Sequence, residues 1–478
     1  MGTLSYGKTV KRITLIRPGA YPEGLIVPLG LLYLAGYLIS KVQDIDISIL
    51  DAALEDLGPE EIAEKTKILK PDLIGLTGLI AHTGDIKKTA KCIRKLLPET
   101  VIVGGGPAMS SNHLELLKER AIDFGVIGEG EETFFSLLKA LREDGSLSLI
   151  DGLVYRGEED RIILNNKRGM IEDIDTLPRP AYHLIKVEDY FNSSKRNSQS
   201  PVYISKRNLP IMTSRGCPFK CIYCHNLFGK KFRPRSPENV VDEIIWLKRT
   251  YNMAELEIID DIFNFDKERA KEIMRKIIDE GLNLKISFPN GIKYETIDDE
   301  LLELFKKAGV YRLAFGIESG NERVQKVLRK VVDLYRMREI IDQVVKMGFF
   351  VSGFFQLGLP GETKEEMLDT IKYAASTKLH TATFHLTIPF PGTQMHTEYV
   401  KGKFEASHFE SCRDISVNVS AVSDHVLLKL KRYALYKFYF DIKRMISIYK
   451  VFPVKKRIFS NFINVLSEIC FRKWLINT

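Results

Sequence analysis

Three cysteines stand close together in Cys217-Pro218-Phe219-Lys220-Cys221-Ile222-Tyr223-Cys224, where their spacing is C-x3-C-x2-C. The segment follows a short apolar run, Leu209–Met212, and precedes a helical pattern that begins near Pro237. Three thiolates this close can bind three irons of a cubane cluster and leave the fourth iron open to a small molecule. A zinc site normally needs four ligands in two pairs, and the sequence has no second cysteine pair. The remaining alternative is three unrelated buried cysteines, since free cysteine is often buried. The close, regular spacing favours an iron–sulfur cluster with an open iron instead.

The composition is that of a globular protein with more than one domain. The chain has 478 residues, of which 45% are hydrophobic and 28% charged, and this suggests two or three domains with sizeable cores. The start of the sequence shows no export-signal pattern, and six cysteines in a chain of this size do not make a disulfide framework. The longest uncharged run, Gly24–Ser40, contains Pro28 and falls short of a membrane span, so it predicts a buried helix. These features predict a protein of the reducing cytoplasm.

Basic charge is concentrated at the C-terminal end. From His425 onward, 12 lysines and arginines against 2 acidic residues give +10, so the preceding 424 residues carry 58 against 60, or −2, of the total of +8. Aromatic residues such as Tyr433 and Tyr436 are interleaved with these basic ones. We interpret residues 401–478 as a basic helical region whose charged face is either solvated or in contact with an anionic membrane surface. Nucleic acid is the least favoured partner.

Residues 10–150 alternate short β-branched runs with amphipathic helical patterns. This alternation predicts an α/β, Rossmann-like domain with an open parallel sheet and helices on both faces. The predicted strands are Ile13–Ile16, Ile45–Leu50, Leu73–Thr77, Val101–Val103 and Phe124–Ile127. The predicted helices are Leu29–Ile39, Ile62–Leu69, Ile86–Leu97, His113–Lys118 and Glu131–Leu141. Such sheets bind ligands at the carboxyl ends of their strands, where Gly104-Gly105-Gly106-Pro107 and Gly128-Glu129-Gly130 let a bulky ligand approach.

The strand–helix alternation resumes in residues 206–400, after a linker in residues 151–205 that contains a predicted hairpin. The predicted strands are Pro210–Thr213, Leu256–Ile259, Lys285–Phe288, Leu313–Phe315, Phe349–Phe355 and Thr383–Thr387. The predicted helices are Pro237–Thr250, Asp266–Glu280, Asp298–Ala308, Asn321–Leu328, Asp333–Met347 and Lys364–Ser376. Six such units predict a partial (βα)6 TIM barrel, with its chemistry at the carboxyl ends of the strands.

Acidic residues stand at two of these carboxyl ends. Asp260 follows the second barrel strand and suits the binding of an ammonium group. The neighbouring Asp261 is equally compatible with a helix N-cap. Glu318 follows the fourth strand and can accept hydrogen bonds from hydroxyl or amine groups at the barrel mouth.

The turn after the fifth barrel strand begins at Gly358, where a missing side chain permits close approach of a ligand. Thr363 and Glu366 have the spacing of a capping box for the next helix. We therefore interpret Glu362 and Thr363 as structural residues.

The cysteine segment, with Tyr223 directly before its last cysteine, resembles the signature loop of the radical S-adenosylmethionine (SAM) superfamily. Three upstream segments resemble the cobalamin-binding domain of the B12-dependent radical SAM family: Pro28-Leu29-Gly30-Leu31-Leu32-Tyr33-Leu34-Ala35, Val103-Gly104-Gly105-Gly106-Pro107 and Gly128-Glu129-Gly130-Glu131-Glu132-Thr133. With Gly316-Ile317-Glu318-Ser319-Gly320 the resemblance covers roughly residues 10–400. The chain is therefore similar to B12-binding radical SAM proteins of the class B methyltransferase-like and Mg-protoporphyrin cyclase-like kind.

The resemblance implies three cofactors, namely a [4Fe–4S] cluster on Cys217, Cys221 and Cys224, SAM, and cobalamin. The residues that it implies for SAM are Tyr223, Asp260, Glu318, Ser319 and Gly358. The residues that it implies for cobalamin are Gly30, Thr77, Gly104, Gly105, Gly106, Pro107, Gly128, Glu129 and Gly130. One departure concerns cobalt, because the D-x-H-x-x-G motif of many cobalamin proteins does not occur and His82 lacks that pattern. A vestigial fold that only packs is the alternative to cobalamin binding.

The resemblance further implies an enzyme that cleaves SAM to a 5′-deoxyadenosyl radical for cobalamin-dependent C-methylation of an unactivated carbon. One alternative is cobalamin-dependent radical cyclisation or oxidative rearrangement without methyl transfer. Another is an RNA-modifying, methylthiotransferase-like enzyme, which would usually bring three more clustered N-terminal cysteines where only Cys92 occurs. The expected partners are a small-molecule or lipid-like substrate and an external electron donor. The expected location is the cytoplasm, with the basic C-terminal region at the inner membrane surface.

Overall fold

The computed structural model of the chain describes residues 10–19, 24–118, 120–195, 198–225, 227–402 and 415–470. The chain divides into two compact units, whose described parts are residues 10–195 and, with those gaps, residues 198–470. Residues 403–414 and 471–478 of the predicted C-terminal region lie outside the described residues. Among the described helices, none is both long and apolar enough to cross a membrane.

The N-terminal unit is built on a seven-stranded sheet with the order β2-β1-β3-β4-β5-β6-β7. Its strands are β1 (Arg12–Arg17), β2 (Asp46–Asp51), β3 (Leu73–Thr77), β4 (Val101–Gly105), β5 (Phe124–Val126), β6 (Leu153–Arg156) and β7 (Ile162–Leu164). The first five strands are parallel, and β6 and β7 add an antiparallel hairpin at the edge beside β5. The five predicted parallel strands and the hairpin are thus confirmed, and the hairpin extends the sheet.

Helices cover both faces of this sheet. They are α1 (Leu29–Lys41), α2 (Ala52–Glu55), α3 (Pro59–Leu69), α4 (Thr83–Leu96), α5 (Gly106–Lys118), α6 (Gly130–Glu143) and α7 (Val187–Asn192). Leucines of α1 and α6 pack in one core cluster, whereas apolar residues of α3, α4 and α5 pack in a second. A parallel sheet with a separate core on each face is the doubly wound arrangement that the alternation predicted.

The start of α5 differs from the prediction. The sequence pattern indicated a helix only from His113, but α5 begins at Gly106, inside the glycine-rich turn. Proline is well tolerated in the first helical turn, so Pro107 starts the helix instead of preventing it. The backbone of Asn112 is not helical (φ −126°, ψ 30°). This kink interrupts the helical spacing of apolar residues, so the sequence pattern indicated only the part of α5 that follows it.

The C-terminal unit contains a six-stranded parallel sheet with the order β15-β14-β13-β12-β11-β8. Its strands are β8 (Asn208–Ile211), β11 (Glu255–Ile258), β12 (Lys285–Ser287), β13 (Val310–Glu318), β14 (Phe350–Leu357) and β15 (Thr381–Leu386), and a short antiparallel pair is formed by β9 (Ser214–Arg215) and β10 (Arg233–Pro234). Spatial order follows chain order, and within the described residues β8 and β15 do not pair with each other. This is the predicted partial (βα)6 barrel.

The barrel helices begin at polar caps. They are α8 (Pro237–Tyr251), α9 (Lys267–Asp279), α10 (Asp299–Ala308), α11 (Glu322–Val327), α12 (Leu334–Lys346) and α13 (Lys364–Ser376). Helices α9 to α12 each start one residue later than predicted, because the side chains of Asp266, Asp298, Asn321 and Asp333 accept hydrogen bonds from backbone N–H groups of the first turn. The predicted capping box of Thr363 and Glu366 is confirmed.

Four further helices complete the C-terminal unit, namely α14 (Gln394–Tyr399), α15 (Asp424–Tyr439), α16 (Ile442–Val451) and α17 (Ile458–Cys470). Buried Arg444 of α16 donates hydrogen bonds to the carbonyl oxygens of Ala375 (2.8 Å) and Thr377 (3.1 Å) at the end of α13. Its guanidinium also lies 3.7 Å from the ring centre of Phe438 in α15. These contacts fix the helical region to the barrel.

Candidate active site

A narrow hairpin carries the cysteine segment beyond the first barrel strand. Strands β9 and β10 pair before and after it. Gly216 has a left-handed backbone (φ +84°), and a Cβ atom there would lie 2.3 Å from the carbonyl oxygen of Lys231. Only glycine therefore fits the point where the two sides of the loop meet. The N–H of Cys217 donates to the carbonyl oxygen of Gly229 (3.4 Å) and closes the same turn.

Ile222 anchors the far end of the loop. Its side chain is buried in an apolar cluster with Val324, Leu328, Leu359 and Met395. Its N–H donates to the carbonyl oxygen of Leu328 (3.2 Å), and its own carbonyl accepts from the N–H of Met395 (2.8 Å). The positions of the cysteines are thus set by a residue that the sequence interpretation did not single out, although an apolar residue between two cysteines was the available signal.

The three thiols are free and half-buried or exposed. A hydrogen bond from the Cys224 thiol lowers the pKa of Cys221, whereas burial raises the pKa of Cys217. Cys221 and Cys224 therefore already touch. Three soft sulfur donors on one anchored loop fit a cluster bound through three irons.

Glu318 lies at the centre of a polar group beside this loop. Its carboxylate accepts hydrogen bonds from Lys330 Nζ (2.9 Å), Tyr223 Oη (3.1 Å) and Gln356 Nε2 (2.9 Å). Burial alone would raise the pKa of Glu318, but the charge and hydrogen bond of Lys330 hold that pKa below its usual value. The same ammonium acts electrostatically on the thiols of Cys221 and Cys224. A carboxylate and an ammonium thus stand together next to two of the cysteines.

Backbone geometry places this ion pair. Glu318 has a left-handed backbone (φ +66°), and the pairing of β13 with β14 shifts register between Gly316 and Glu318. A Cβ on Gly316 would lie 2.8 Å from Lys330 Nζ and 2.9 Å from Glu318 Oε1, so this glycine makes room for both charges. The neighbouring Ser319 is buried, and its hydroxyl oxygen lies 3.1 Å from that of Thr370.

Asp260 is engaged inside the protein. Its carboxylate accepts hydrogen bonds from the Thr213 N–H and hydroxyl (2.6 Å each) and from the Ser214 hydroxyl (2.5 Å). These bonds tie the end of β11 to the turn that leads into the cysteine loop. The Asp260 carboxylate is thus buried among protein donors, whereas the adjacent Asp261 is exposed.

Gly358 is packed by the C-terminal helices. It has a left-handed backbone (φ +87°), and a Cβ there would lie 2.9 Å from Leu427 Cδ2 of α15. The N–H groups of Gly358 and Leu359 both donate to Oε2 of buried Glu362 (2.9 and 3.0 Å). Burial raises the pKa of Glu362 to about 8. These contacts agree with a structural role for Glu362 in shaping the turn.

In the N-terminal unit, the predicted cobalamin residues lie at the carboxyl ends of β3, β4 and β5, except Gly30, which lies in the first turn of α1. The N–H of Ala108 donates to the Gly78 carbonyl oxygen (3.1 Å), which joins the turn after β3 to the start of α5. The N–H of Gly128 donates to Ser110 Oγ (3.0 Å), which joins the turn after β5 to α5. Three separate sequence segments are therefore brought to one edge.

The glycines at this edge fall into two kinds. A Cβ on Gly104 or Gly106 would lie 2.3 Å from Met109 Cε or Thr77 Oγ1, so these two glycines are needed for packing. A Cβ on Gly30, Gly105 or Gly128 would meet nothing within 4 Å, so these three face open space. Pro107 lies in the first turn of α5, Gly130 begins α6, and Glu129 Oε2 accepts from the Ile171 N–H (2.9 Å). Open glycines at a strand edge fit the close approach of a bulky ligand.

Two family models match this chain, one in each unit. The family model described as the radical SAM superfamily matches residues 211–374, and that described as the B12 binding domain matches residues 19–138. The chain is 32% identical over 371 residues to an uncharacterised methyltransferase of Pyrococcus horikoshii, covering 77% of each chain. It is 26% identical to the anaerobic magnesium-protoporphyrin IX monomethyl ester cyclase of Rubrivivax gelatinosus, covering 84% of this chain and 72% of the relative.

A solved structure shares the fold. The radical SAM methyltransferase TsrM from Kitasatospora setae, with cobalamin and a [4Fe–4S] cluster bound, superposes with a TM-score of 0.68 at 19% identity, covering 81% of this chain and 77% of that one. The chain belongs to the radical SAM superfamily, in the group whose members also carry a B12-binding domain. It is a methyltransferase-like radical SAM enzyme whose cofactors are a [4Fe–4S] cluster, SAM and cobalamin.

Proposed function

We propose that this enzyme methylates an unactivated carbon of a small, lipid-like molecule. When bound, the cluster and SAM supply a 5′-deoxyadenosyl radical and cobalamin supplies a methyl group. The observation that carries the proposal is one chain with both an anchored triplet of free thiols and a strand edge lined by open glycines. A radical enzyme that uses no cobalamin would not need the second feature.

The residues of the cysteine loop have separate tasks in this proposal. Cys217, Cys221 and Cys224 would hold three irons, which leaves the fourth for the amino and carboxylate groups of SAM. Ile222 keeps the loop in place from within its apolar cluster. Tyr223 packs against that cluster and, because it also donates to Glu318, shields one side of the loop from water.

The ion pair beside the loop matches the charges of SAM. Lys330 can attract a carboxylate, and Glu318 can accept hydrogen bonds from an ammonium group or from ribose hydroxyls. Both charges are oriented before any ligand arrives, since each already has a partner 2.9 Å away. The roles proposed for Asp260, Ser319 and Gly358 are less direct, because their polar groups bond within the protein.

A second candidate function is radical cyclisation without methyl transfer. The Rubrivivax cyclase favours it, because its alignment covers 84% of this chain. The two functions differ in the fate of the methyl group of SAM. The reconstituted chain should be incubated with methyl-labelled SAM, a one-electron reductant and a total lipid extract. Label in a lipid product would support methylation. Formation of 5′-deoxyadenosine without label transfer would contradict methylation and favour the second candidate.

The remaining partners belong to the same proposal. An external one-electron donor must reduce the cluster. The net charge of +10 from His425 onward supports contact with an anionic membrane surface from the cytoplasmic side, and this in turn supports a lipid-like substrate. The sequence-based domain bounds, 10–150, 151–205, 206–400 and 401–478, also stay predictions, with limited proteolysis of the loaded enzyme as their test.

A further inference from the structure

Exposed apolar side chains are concentrated in the C-terminal helices. Among the residues that the structure describes, 22 large hydrophobic side chains are exposed, and nine of them lie between Tyr433 and Ile463. Scattered exposed hydrophobic residues are normal, but a concentration of this kind marks a surface that is covered in use.

Helix α16 presents four of them in one stripe. Ile442, Met445, Ile446 and Tyr449 are 75%, 44%, 51% and 63% exposed. Their spacing of three, four and seven residues places them on one side of the helix, since each residue advances about 100°. We call these four residues the apolar stripe. A helix of a soluble protein normally turns such a stripe inward, and this one turns it to solvent.

The outward orientation is fixed by the opposite side of the helix. Arg444, about half a turn away from the stripe, is buried and bonded to carbonyl oxygens of α13. Phe452, directly after α16, packs edge-on against Phe350 of β14 with ring centres 5.6 Å apart. The stripe cannot turn inward without breaking these contacts.

Basic residues border the apolar stripe. Lys443 and Lys450 of α16 are exposed, and so are Lys455 and Lys456, which follow the end of the helix after a gap of three residues. The Lys455 ammonium lies 4.7 Å from the ring centre of Tyr449. The sequence between residues 442 and 467 contains no aspartate or glutamate. A surface that offers apolar side chains with positive charge along one flank is complementary to a negatively charged layer with an apolar interior.

We propose that α16 docks on an anionic lipid surface, with the apolar stripe in the interface and the bordering lysines on the headgroups. The inference rests on the proposed function only in that a lipid-like substrate would be met at this surface. A second copy of the chain is the less suitable occupant, because like charges would then face each other across the contact.

The test is cosedimentation of the full, reconstituted chain with vesicles. Vesicles of equal parts phosphatidylglycerol and phosphatidylcholine should bind the protein, and vesicles of phosphatidylcholine alone should bind it far less. Ile446→Ser with Tyr449→Ser should reduce the bound fraction about tenfold by removing apolar contact. Lys443→Gln with Lys450→Gln should reduce the binding constant by roughly fivefold per lysine and weaken its dependence on salt.

The control is Ile68→Ser with Leu149→Ser, because these two side chains are even more exposed than those of the stripe but lie in the N-terminal unit. This variant should bind as the parent does. Equal binding by the parent and the stripe variant, or no binding to either vesicle, would overturn the proposal. A stripe variant that instead converts a dimer to a monomer in sedimentation velocity would also overturn it. SAM cleavage without vesicles should be unchanged in the stripe variant, so loss of vesicle binding and loss of the proposed chemistry are separate results.

Discussion

Replacing Lys330 with methionine removes the cation that stands 2.9 Å from Glu318 Oε1. The side chains of Glu318 and Lys330 are 11% and 26% exposed, and removing one partner of a buried pair costs about 3–5 kcal/mol. The partial exposure of Lys330 and the two remaining donors, Tyr223 and Gln356, reduce this cost. We therefore expect Lys330→Met to lower local stability by about 2–3 kcal/mol.

The matched control is Lys330→Met combined with Glu318→Gln. Because no buried charge is then left without a partner, the double variant should lose only about 1 kcal/mol. Hydrogen exchange of the Ser319 and Gly320 amides measures the opening free energy at this turn, where both amides are bonded. Equal losses in the single and double variants would refute the reasoning, since they would show that the charges of the pair do not interact.

The pH dependence of this pair has two limits. Lys330 holds the pKa of Glu318 below its ordinary value of 4.5, against the effect of burial. The contribution of ionised Glu318 to stability is therefore present above about pH 4.5 and is lost as pH falls through the folded pKa. Burial would lower the pKa of Lys330, but Glu318 raises it above its ordinary value of 10.5. Its contribution is present below about 10.5 and is lost as pH rises through the folded pKa.

Three further outcomes can be checked separately. Burial raises the pKa of Glu362 from 4.5 to about 8. Its contribution to stability is therefore fully present below about pH 4.5 and is lost as pH rises through about 8. In Glu362→Gln, the melting temperature should no longer fall over this pH range. Ile222→Ala should lower the free energy of unfolding by about 2–4 kcal/mol because of the cavity it leaves, and it should lower the iron content after reconstitution. A normal iron content would show that the loop does not need this anchor. Gly105→Ala should keep the melting temperature and weaken cobalamin uptake. Gly106→Ala should lower both, because its Cβ would lie 2.3 Å from Thr77 Oγ1. Unchanged uptake in Gly105→Ala would contradict the assignment of this strand edge as the cobalamin site.

The regular elements could be predicted from the sequence because their signals are local. The β-branched runs and amphipathic periods between them indicated every strand of the two parallel sheets, and the spacing of the cysteines indicated an open cluster without any structure. Asp266 and Asp298 were predicted inside helices and are caps instead, an error of one residue. Such errors are small because capping depends on neighbouring backbone groups.

The interior of the site could not be predicted in the same way, since it depends on contacts between distant segments. The approach of Lys330 to Glu318 depends on the left-handed backbone of Arg329 (φ +53°) and on the missing side chain of Gly316. Likewise, a carboxylate after a strand indicated a ligand contact for Asp260. Its three donors from Thr213 and Ser214 become visible only when β8 and β11 are placed side by side.

The most direct test of this account is the iron and cobalamin content of the full chain after anaerobic reconstitution with iron, sulfide and cobalamin. We expect about four irons and one tightly held cobalamin per chain, with iron lost and cobalamin kept in Cys221→Ala. A parent chain that takes up iron but no cobalamin would contradict the proposed methylation, because the N-terminal unit would then be a vestigial fold that only packs.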